Sequence, residues 1–382
     1  MASLDAFHSP FGSKLQIEAM QTVMPTKPTD PRQSIQVCLD ENPCSGGILK
    51  RCFNIVMCYN KPNSGDETSV SSGSVVAGWI KESLGKALSE QPLLAGRLRP
   101  KQHDDRKGEM EIVSNDSGVR MIEARYPMTL AEFLDIKEKK ETEEAELVFW
   151  EDLDKEQNPQ FSPLFYVQVT DFSCGGYSVG ISCSLLLNDP FAMITFLKRW
   201  TDTHIEMVSR ADAPKIPIFY RPNLRQKQNI HSSALPFGTN TKPSSGQSVI
   251  FNISSEVLDL ESDIHKKFAD IYIDEAEQKL GQKTGPNLKV SLLLKEGTKS
   301  AKDVKVRNFT KDTLIQKPSV IISGSKNWDD LGVNDICFQE GNKPASVSCW
   351  INSVPDEALV MIVPSVEKYA SVMKVVITLP VC

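Results

Sequence analysis

The stretch Gly180-Ile181-Ser182-Cys183-Ser184-Leu185-Leu186-Leu187-Asn188-Asp189-Pro190 decides the fold. It lies at the end of an apolar and small-residue run, Tyr177–Leu187, that reads as a strand. It closes on a helix start. Asn188 or Asp189 offers a side-chain acceptor to the free amides of a first helical turn. Pro190 fits the first helical position, where no amide donor is needed. Phe191, Ile194, Phe196, Leu197 and Trp200 then follow at helical spacing.

The same alternation of strand and helix extends outward. Upstream, Cys52–Met57 and Glu109–Val113 read as strands, and Val75–Glu90 carries Val76, Trp79, Ile80, Leu84 and Leu88 on one helical face. Thr129–Ile136 reads as a short helix, and the charged run Lys137–Glu146 as a solvated face. Phe165–Val169 pairs with Tyr177–Leu187 across a Cys174-Gly175-Gly176 turn. Downstream, five prolines (214, 217, 222, 236, 243) and a polar stretch, Gly238–Gln247, break the pattern from about Ser209 to Gly246. Prolines remove donors and small polar residues bury little apolar surface, so this segment reads as a crossover between two domains. Strand Val249–Ile253 and a long helix, Glu256–Leu280, open the second half. Strands at Leu288–Leu294, Val320–Ile322, Ser346–Ile351, Leu359–Val363 and Lys374–Leu379 close it. The fold class is α/β with a strand-rich second half.

Composition narrows the function. The chain has 382 residues and a formal charge of −6, from 43 basic and 49 acidic residues. That length suggests two domains, and a mildly acidic chain has no electrostatic pull toward nucleic acid. No apolar run reaches membrane-spanning length. Met1–Lys14 lacks a basic segment followed by an apolar one, so no secretory leader is expected. The nine cysteines are odd in number with no CxxC pair, which reads as reduced and mostly buried thiols. The five histidines (8, 103, 204, 231, 265) are scattered, so no metal site is expected. His204, near polar Thr201–Thr203, reads as a surface residue, as do His103 in its charged loop and His265 at a helix boundary.

Three stretches, taken together and in order, resemble the plant BAHD family of coenzyme-A-dependent acyltransferases. The first is Pro92-Leu93-Leu94-Ala95-Gly96-Arg97-Leu98, similar to a structural P-L-A-G-R-L run. The second is Ser184–Pro190, which resembles the S-H-x-x-x-D-G active-site signature and its F-L-x-x-W sequel. Ser184 and Asp189 match. Leu185 stands at the histidine and Pro190 at the glycine. The third is Asp335–Pro344, similar to D-F-G-W-G-K-P with one residue inserted. Phe338, Gly341, Lys343 and Pro344 align, and Glu340 stands in place of the tryptophan. Trp328–Gly332, Ser348-Cys349-Trp350 and Asn115–Arg120 further resemble the eceriferum-like branch.

The resemblance implies two chloramphenicol-acetyltransferase-like α/β domains around a central channel, joined by a long crossover. The expected bounds are a first domain 1–208, a crossover 209–248, and a second domain 249–382 that is shorter than the family norm. It implies a coenzyme A thioester as substrate or ligand, with no bound cofactor, and a monomer. In the family the histidine takes the acceptor's proton as it attacks the thioester, and the aspartate orients the loop through a salt bridge. Leu185 has no lone pair, and losing a general base costs about 10²–10⁴ in rate. Cys183, on the same strand face as Leu185, is the candidate substitute, set against a plain buried cysteine. Ser184 points the other way and is structural. Asp189 is expected to be retained as a cap, and Glu340 to face solvent, because a buried charge there would need a partner.

The eceriferum-like branch implies a non-catalytic helper in very-long-chain lipid (wax) metabolism, acting with a fatty-acid elongase condensing enzyme. Its place would be the cytoplasm, the nucleus or the cytosolic face of the endoplasmic reticulum, with no integral membrane segment. The alternatives are a repurposed lyase or cyclase acting on a plant metabolite, a residual O- or N-acyltransferase, and an inactive copy. Were the rest of the site intact, Leu185→His would restore some coenzyme A release.

Overall fold

The computed structural model describes residues 15–39, 46–61, 73–101, 109–139, 143–153, 159–210, 216–218, 245–254, 262–285, 287–297, 302–311, 322–364 and 372–381. His8, His103, His231, Cys44, Cys382, Val320 and most of the crossover lie outside them.

Fifteen strands and five helices alternate along these residues. The first half holds β1 (Gln16–Val23), β2 (Ser34–Leu39), α1 (Gly46–Leu49), β3 (Cys52–Tyr59), α2 (Gly73–Glu90), β4 (Arg97–Pro100), β5 (Glu109–Val113), β6 (Val119–Tyr126), α3 (Leu130–Lys139), β7 (Phe165–Phe172), β8 (Tyr177–Ser184) and α4 (Pro190–Val208). The second half holds β9 (Ser245–Ser254), α5 (Ser262–Leu280), β10 (Lys289–Gly297), β11 (Lys302–Thr310), β12 (Ile322–Lys326), β13 (Ser346–Asn352), β14 (Glu357–Pro364) and β15 (Val372–Leu379). The chain is thus α/β.

Hydrogen bonding orders the strands β1-β6-β7-β8-β3-β13-β9-β15-β14-β10-β11-β2-β5-β4, with β12 on β9. The halves interlock through this order. β13 leaves the second half to pair with β3 over Ser346–Ile351. β2 leaves the first half to pair with β11 in parallel, and brings β5 and β4 with it. The first sheet is joined to the second where Ile351 and Asn352 of β13 meet Gly246 and Ser245 of β9.

Position in the order explains composition. β3 and β8 lie inside the first sheet and every residue of both is buried, so they read as continuous apolar runs. β6 is half-buried, with Arg120, Glu123 and Arg125 partly exposed between buried residues. β11 is similar, with Val304 and Val306 buried and Lys305 and Arg307 half-buried. Charged residues between the apolar positions masked these strands in the sequence. The expected strand Leu288–Leu294 is β10, and it forms a hairpin with β11, a strand that the sequence did not suggest. β8 also ends earlier than expected, at Ser184, because Leu185–Leu187 turn the corner into α4.

Two further expectations are corrected. The charged run Lys137–Glu146, which begins in the last turn of α3, is not simply a solvated face. Lys137 Nζ donates to Ser346 Oγ and Ser348 Oγ at 2.8 Å each and pairs with Glu144, which accepts from Ser348 Oγ at 2.7 Å. Glu146 accepts from the Tyr126 hydroxyl at 2.8 Å. These charges grip β13 and β6 because the sheet offers hydroxyl partners there. The seven described cysteines are all free, but only Cys52, Cys58 and Cys183 are buried, and Cys174 is exposed. Cys174 sits in the β7–β8 turn, where the backbone must face water.

Gly180 on β8 shows how closely the layers approach. A Cβ there would lie 1.8 Å from the carbonyl oxygen of Leu147 in the segment laid over the sheet. Backbone cannot yield as a flexible side chain can. Gly180→Ala is expected to destabilise the fold by about 1–3 kcal/mol, read as a lower denaturation midpoint. An unchanged midpoint would mean that the overlying segment shifts freely.

Candidate functional site

The corner between β8 and α4 is built from backbone hydrogen bonds on both sides. Ser184 N–H donates to Leu164 O at 2.8 Å, and Leu185 N–H donates to Arg51 O at 3.3 Å. Ser184 O then accepts from Leu187 N–H and Asn188 N–H, at 3.0 and 3.1 Å. The Ser184 hydroxyl oxygen accepts from Leu186 N–H at 3.3 Å. Asp189 caps α4, its Oδ1 accepting from Ala192 N–H at 2.9 Å, with Pro190 in the first turn. Asp189 has no ion-pair partner among the described residues, so the cap accounts for its carboxylate.

Leu185 and Leu186 are fully buried and Leu187 nearly so. They belong to one continuous core that also holds Ile250, Leu293, Leu359, Met361, Val363 and Val376 of the second sheet. Cys183 lies in the same core and is 1% exposed. Burial pushes its thiol up to about 12, so at neutral pH it is a thiol, and thiolate chemistry needs the anion. The corner is therefore apolar, and the one carboxylate within it is engaged in capping.

The loop from Val333 to Lys343 meets the other end of α4. Tyr59 Oη donates to Ile336 O at 2.9 Å. The Phe338 ring stands edge-on to Trp200 (5.0 Å, 80°), His204 (5.4 Å, 88°) and Tyr59 (6.1 Å, 84°). Such edge-to-face contacts set the positive rim of one ring against the negative face of another. Glu340 and Gly341 are exposed. Lys343 Nζ pairs with Asp335 Oδ1 at 2.8 Å on the surface, which holds that carboxyl below its ordinary range and raises the lysine. The loop thus contributes one buried anchor, Phe338, and a solvated rim.

His204 is not a surface residue. It is 5% exposed, with Nδ1 2.9 Å from Ser83 Oγ on α2, and Trp200 Nε1 donates to the same hydroxyl at 2.9 Å. Asp202 and Thr203 fall on the wetter face of α4, while Thr201 and His204 are buried on the same side as Trp200. His265 lies on α5.

The site also contains polar residues that sequence reading passed over. Arg51 is fully buried at the start of β3. Its Nη1 donates to Asn352 O at 3.1 Å and its Nη2 to Glu357 O at 2.6 Å, with Glu357 Oε1 at 3.5 Å. Asn54 Nδ2 donates to Asn352 Oδ1, and Ser182 Oγ to Asn54 Oδ1, both at 2.7 Å. The signal available was a polar residue set in an apolar run: Asn54 within Cys52–Tyr59, and Arg51 just before it.

Among the described residues no group of three His, Cys, Asp or Glu could hold a metal ion, and no helix is long and apolar enough to cross a membrane. A surface cleft of about 300 Å³, lined by Arg125, Tyr126, Asp171 and Phe172 among others, lies by the β7–β8 turn. That is the end of β8 remote from Leu185.

A family model described as the Transferase family matches residues 13–261. The chain belongs to this family, the BAHD acyltransferases. It is similar to Protein ECERIFERUM 26-like of Arabidopsis thaliana, at 23% identity over 348 residues, covering 79% of this chain and 80% of that protein. It is 32% identical over 130 residues to Protein ECERIFERUM 2 of Arabidopsis thaliana, covering 33% and 29% of the two chains. Taxadien-5-alpha-ol O-acetyltransferase of Taxus chinensis is 32% identical over 168 residues, covering 44% and 35%. Among solved structures, vinorine synthase matches with a TM-score of 0.43 at 15% identity, covering 96% of this chain and 94% of that one.

Burial holds the His204 imidazole down at about 4. In the unfolded chain it titrates near its ordinary value of about 6.5. The unfolded state therefore binds more protons between these values, and stability falls as pH drops from about 6.5 through 4. The loss approaches roughly 3 kcal/mol below the lower value. Denaturation midpoints of wild type and His204→Gln at pH 7 and pH 4.5 check this. The wild type should lose more on acidification, and equal losses would refute it.

Proposed function

We propose that this BAHD protein does not perform ordinary acyl transfer, and instead serves very-long-chain lipid metabolism as a non-catalytic, acyl-ligand-binding helper. The observation that carries the reading is Leu185. It occupies the position matched to the family histidine, and its side chain has no exposure to solvent. An aliphatic group cannot accept a proton from an attacking alcohol or amine. Cys183 beside it is held in the thiol form, and Asp189 is spent on the helix cap.

The likeness to the two ECERIFERUM proteins supports the lipid-metabolic part. A helper of this kind would act with a fatty-acid elongase condensing enzyme, on the cytosolic face of the endoplasmic reticulum, holding or presenting an acyl-CoA-derived chain.

Calorimetric titration with short, aromatic and very-long-chain CoA thioesters, together with thiol-reagent detection of free CoA, tests this. Expected are binding of a long-chain thioester and no CoA release with any alcohol or amine. CoA release by the wild type would overturn the non-catalytic reading. Absence of binding by every thioester would overturn the acyl-ligand reading. The burial of Leu185 also changes the expectation for Leu185→His. An imidazole there meets apolar neighbours and no water, so the variant should lose about 1–3 kcal/mol of stability and still release no CoA.

A further inference from the structure

Arg51 is the place where the two sheets are fastened. Its backbone belongs to the first half, between α1 and β3, while every acceptor of its guanidinium belongs to the second half: Asn352 O, Glu357 O and Glu357 Oε1. Glu357 is itself 4% exposed. Its Oε1 accepts from Ser291 Oγ on β10 at 2.8 Å. On the other side its carboxyl group lies against Gly47 of α1, so closely that a Cβ there would fall 2.1 Å from Oε2. Ser291 Oγ also lies 2.7 Å from the Asn308 side chain. Ser291 Oγ is within donating reach of both Glu357 Oε1 and Asn308 Oδ1, and its one hydrogen serves one of them at a time. A hydrogen-bonded line thus runs from Ser182 and Asn54 in the first sheet, through Asn352, Arg51 and Glu357, to Ser291 and Asn308 in the second.

This fastening is incomplete. Arg51 Nε is buried and has no hydrogen-bond partner among the described residues, and the carboxylate contact at 3.5 Å is long beside a good charge-assisted hydrogen bond of about 2.8 Å. A buried charge that is only partly satisfied is retained where its surroundings hold it and is costly once they do not. The Arg51 carbonyl, meanwhile, is the acceptor for Leu185 N–H. The corner carrying Leu185–Leu187 therefore hangs on the same residue that clasps the second sheet.

We propose that the Arg51–Glu357 pair is a conformational latch: closed, it seals the apolar corner Leu185–Leu187 between the sheets, and released, it exposes that corner. The latch stands whichever ligand enters and whether or not any acyl transfer remains, so it does not depend on the functional reading above.

Hydrogen exchange read by mass spectrometry on the full chain tests it, with Glu357→Gln to remove the charge partner. Expected is exchange at least tenfold faster in 48–52 and 184–189, with α5 and the β6–β7 pair exchanging as in the wild type. The fluorescent apolar anion 1-anilinonaphthalene-8-sulfonate should bind the variant at least severalfold more than the wild type. Exchange that rises uniformly, or does not change, overturns the latch. Local opening without added probe binding overturns the exposure of the corner. Should Glu357→Gln fail to fold, Ser291→Ala removes a single donor to the carboxylate, and it should produce a smaller rise confined to the same segments.

Discussion

A fully buried guanidinium constrains everything around it. Burial lowers the proton affinity of Arg51, yet arginine stays charged in proteins, so the fold must supply acceptors. It supplies two main-chain carbonyls and a carboxylate, all from the β13–β14 region. That region can reach Arg51 only because β13 has crossed to pair with β3, which places Asn352 and Glu357 beside the start of that strand. Sheet crossing and buried charge thus require each other. An arginine here without the crossing would be an unpaired interior ion, and removing one member of such a pair typically costs about 3–5 kcal/mol.

The apolar corner follows from the same geometry. With Arg51 clasped by the second sheet, its carbonyl points at Leu185 N–H, and the side chains of Leu185 and Leu186 enter a core contributed by both sheets. Burying a leucine is worth about 1.5–3 kcal/mol. A histidine at the same place would forgo that gain and would bring two ring nitrogens needing partners. His204 shows what such partners involve: a serine hydroxyl at 2.9 Å and an aromatic edge, at the expense of an imidazole held neutral. The chain keeps a buried histidine where α2 can satisfy it and a leucine within the apolar core.

Much of this was legible in the residues. The strand-to-helix corner, its proline and its capping aspartate could be read from Gly180–Pro190, because capping and φ restriction act within a few residues. The central strands were legible because burial on both faces leaves an apolar run. What escaped reading depends on distant partners. β6 and β11 carry charges between their apolar positions, and only their pairing shows that the apolar positions are buried. His204 reads as exposed beside threonines, until α2 places Ser83 against it. Arg51 gives no local sign, since its acceptors lie about 300 residues away along the chain, in Asn352 and Glu357.

The two family-like motifs then take different parts around α4. At its N-terminus the corner fixes the helix by Asp189 and seals the seam with leucine. Toward its C-terminus Trp200 and His204 receive Phe338 from the second half. A helix held at its two ends by groups from different halves of the chain cannot shift without disturbing both. Each aromatic edge-to-face contact is worth about 0.5–1.5 kcal/mol beyond burial. The Arg51 contacts are directional and fail abruptly with distance. Separation of the sheets should therefore begin where the Arg51 contacts break, which puts the Leu185 corner on the side that opens.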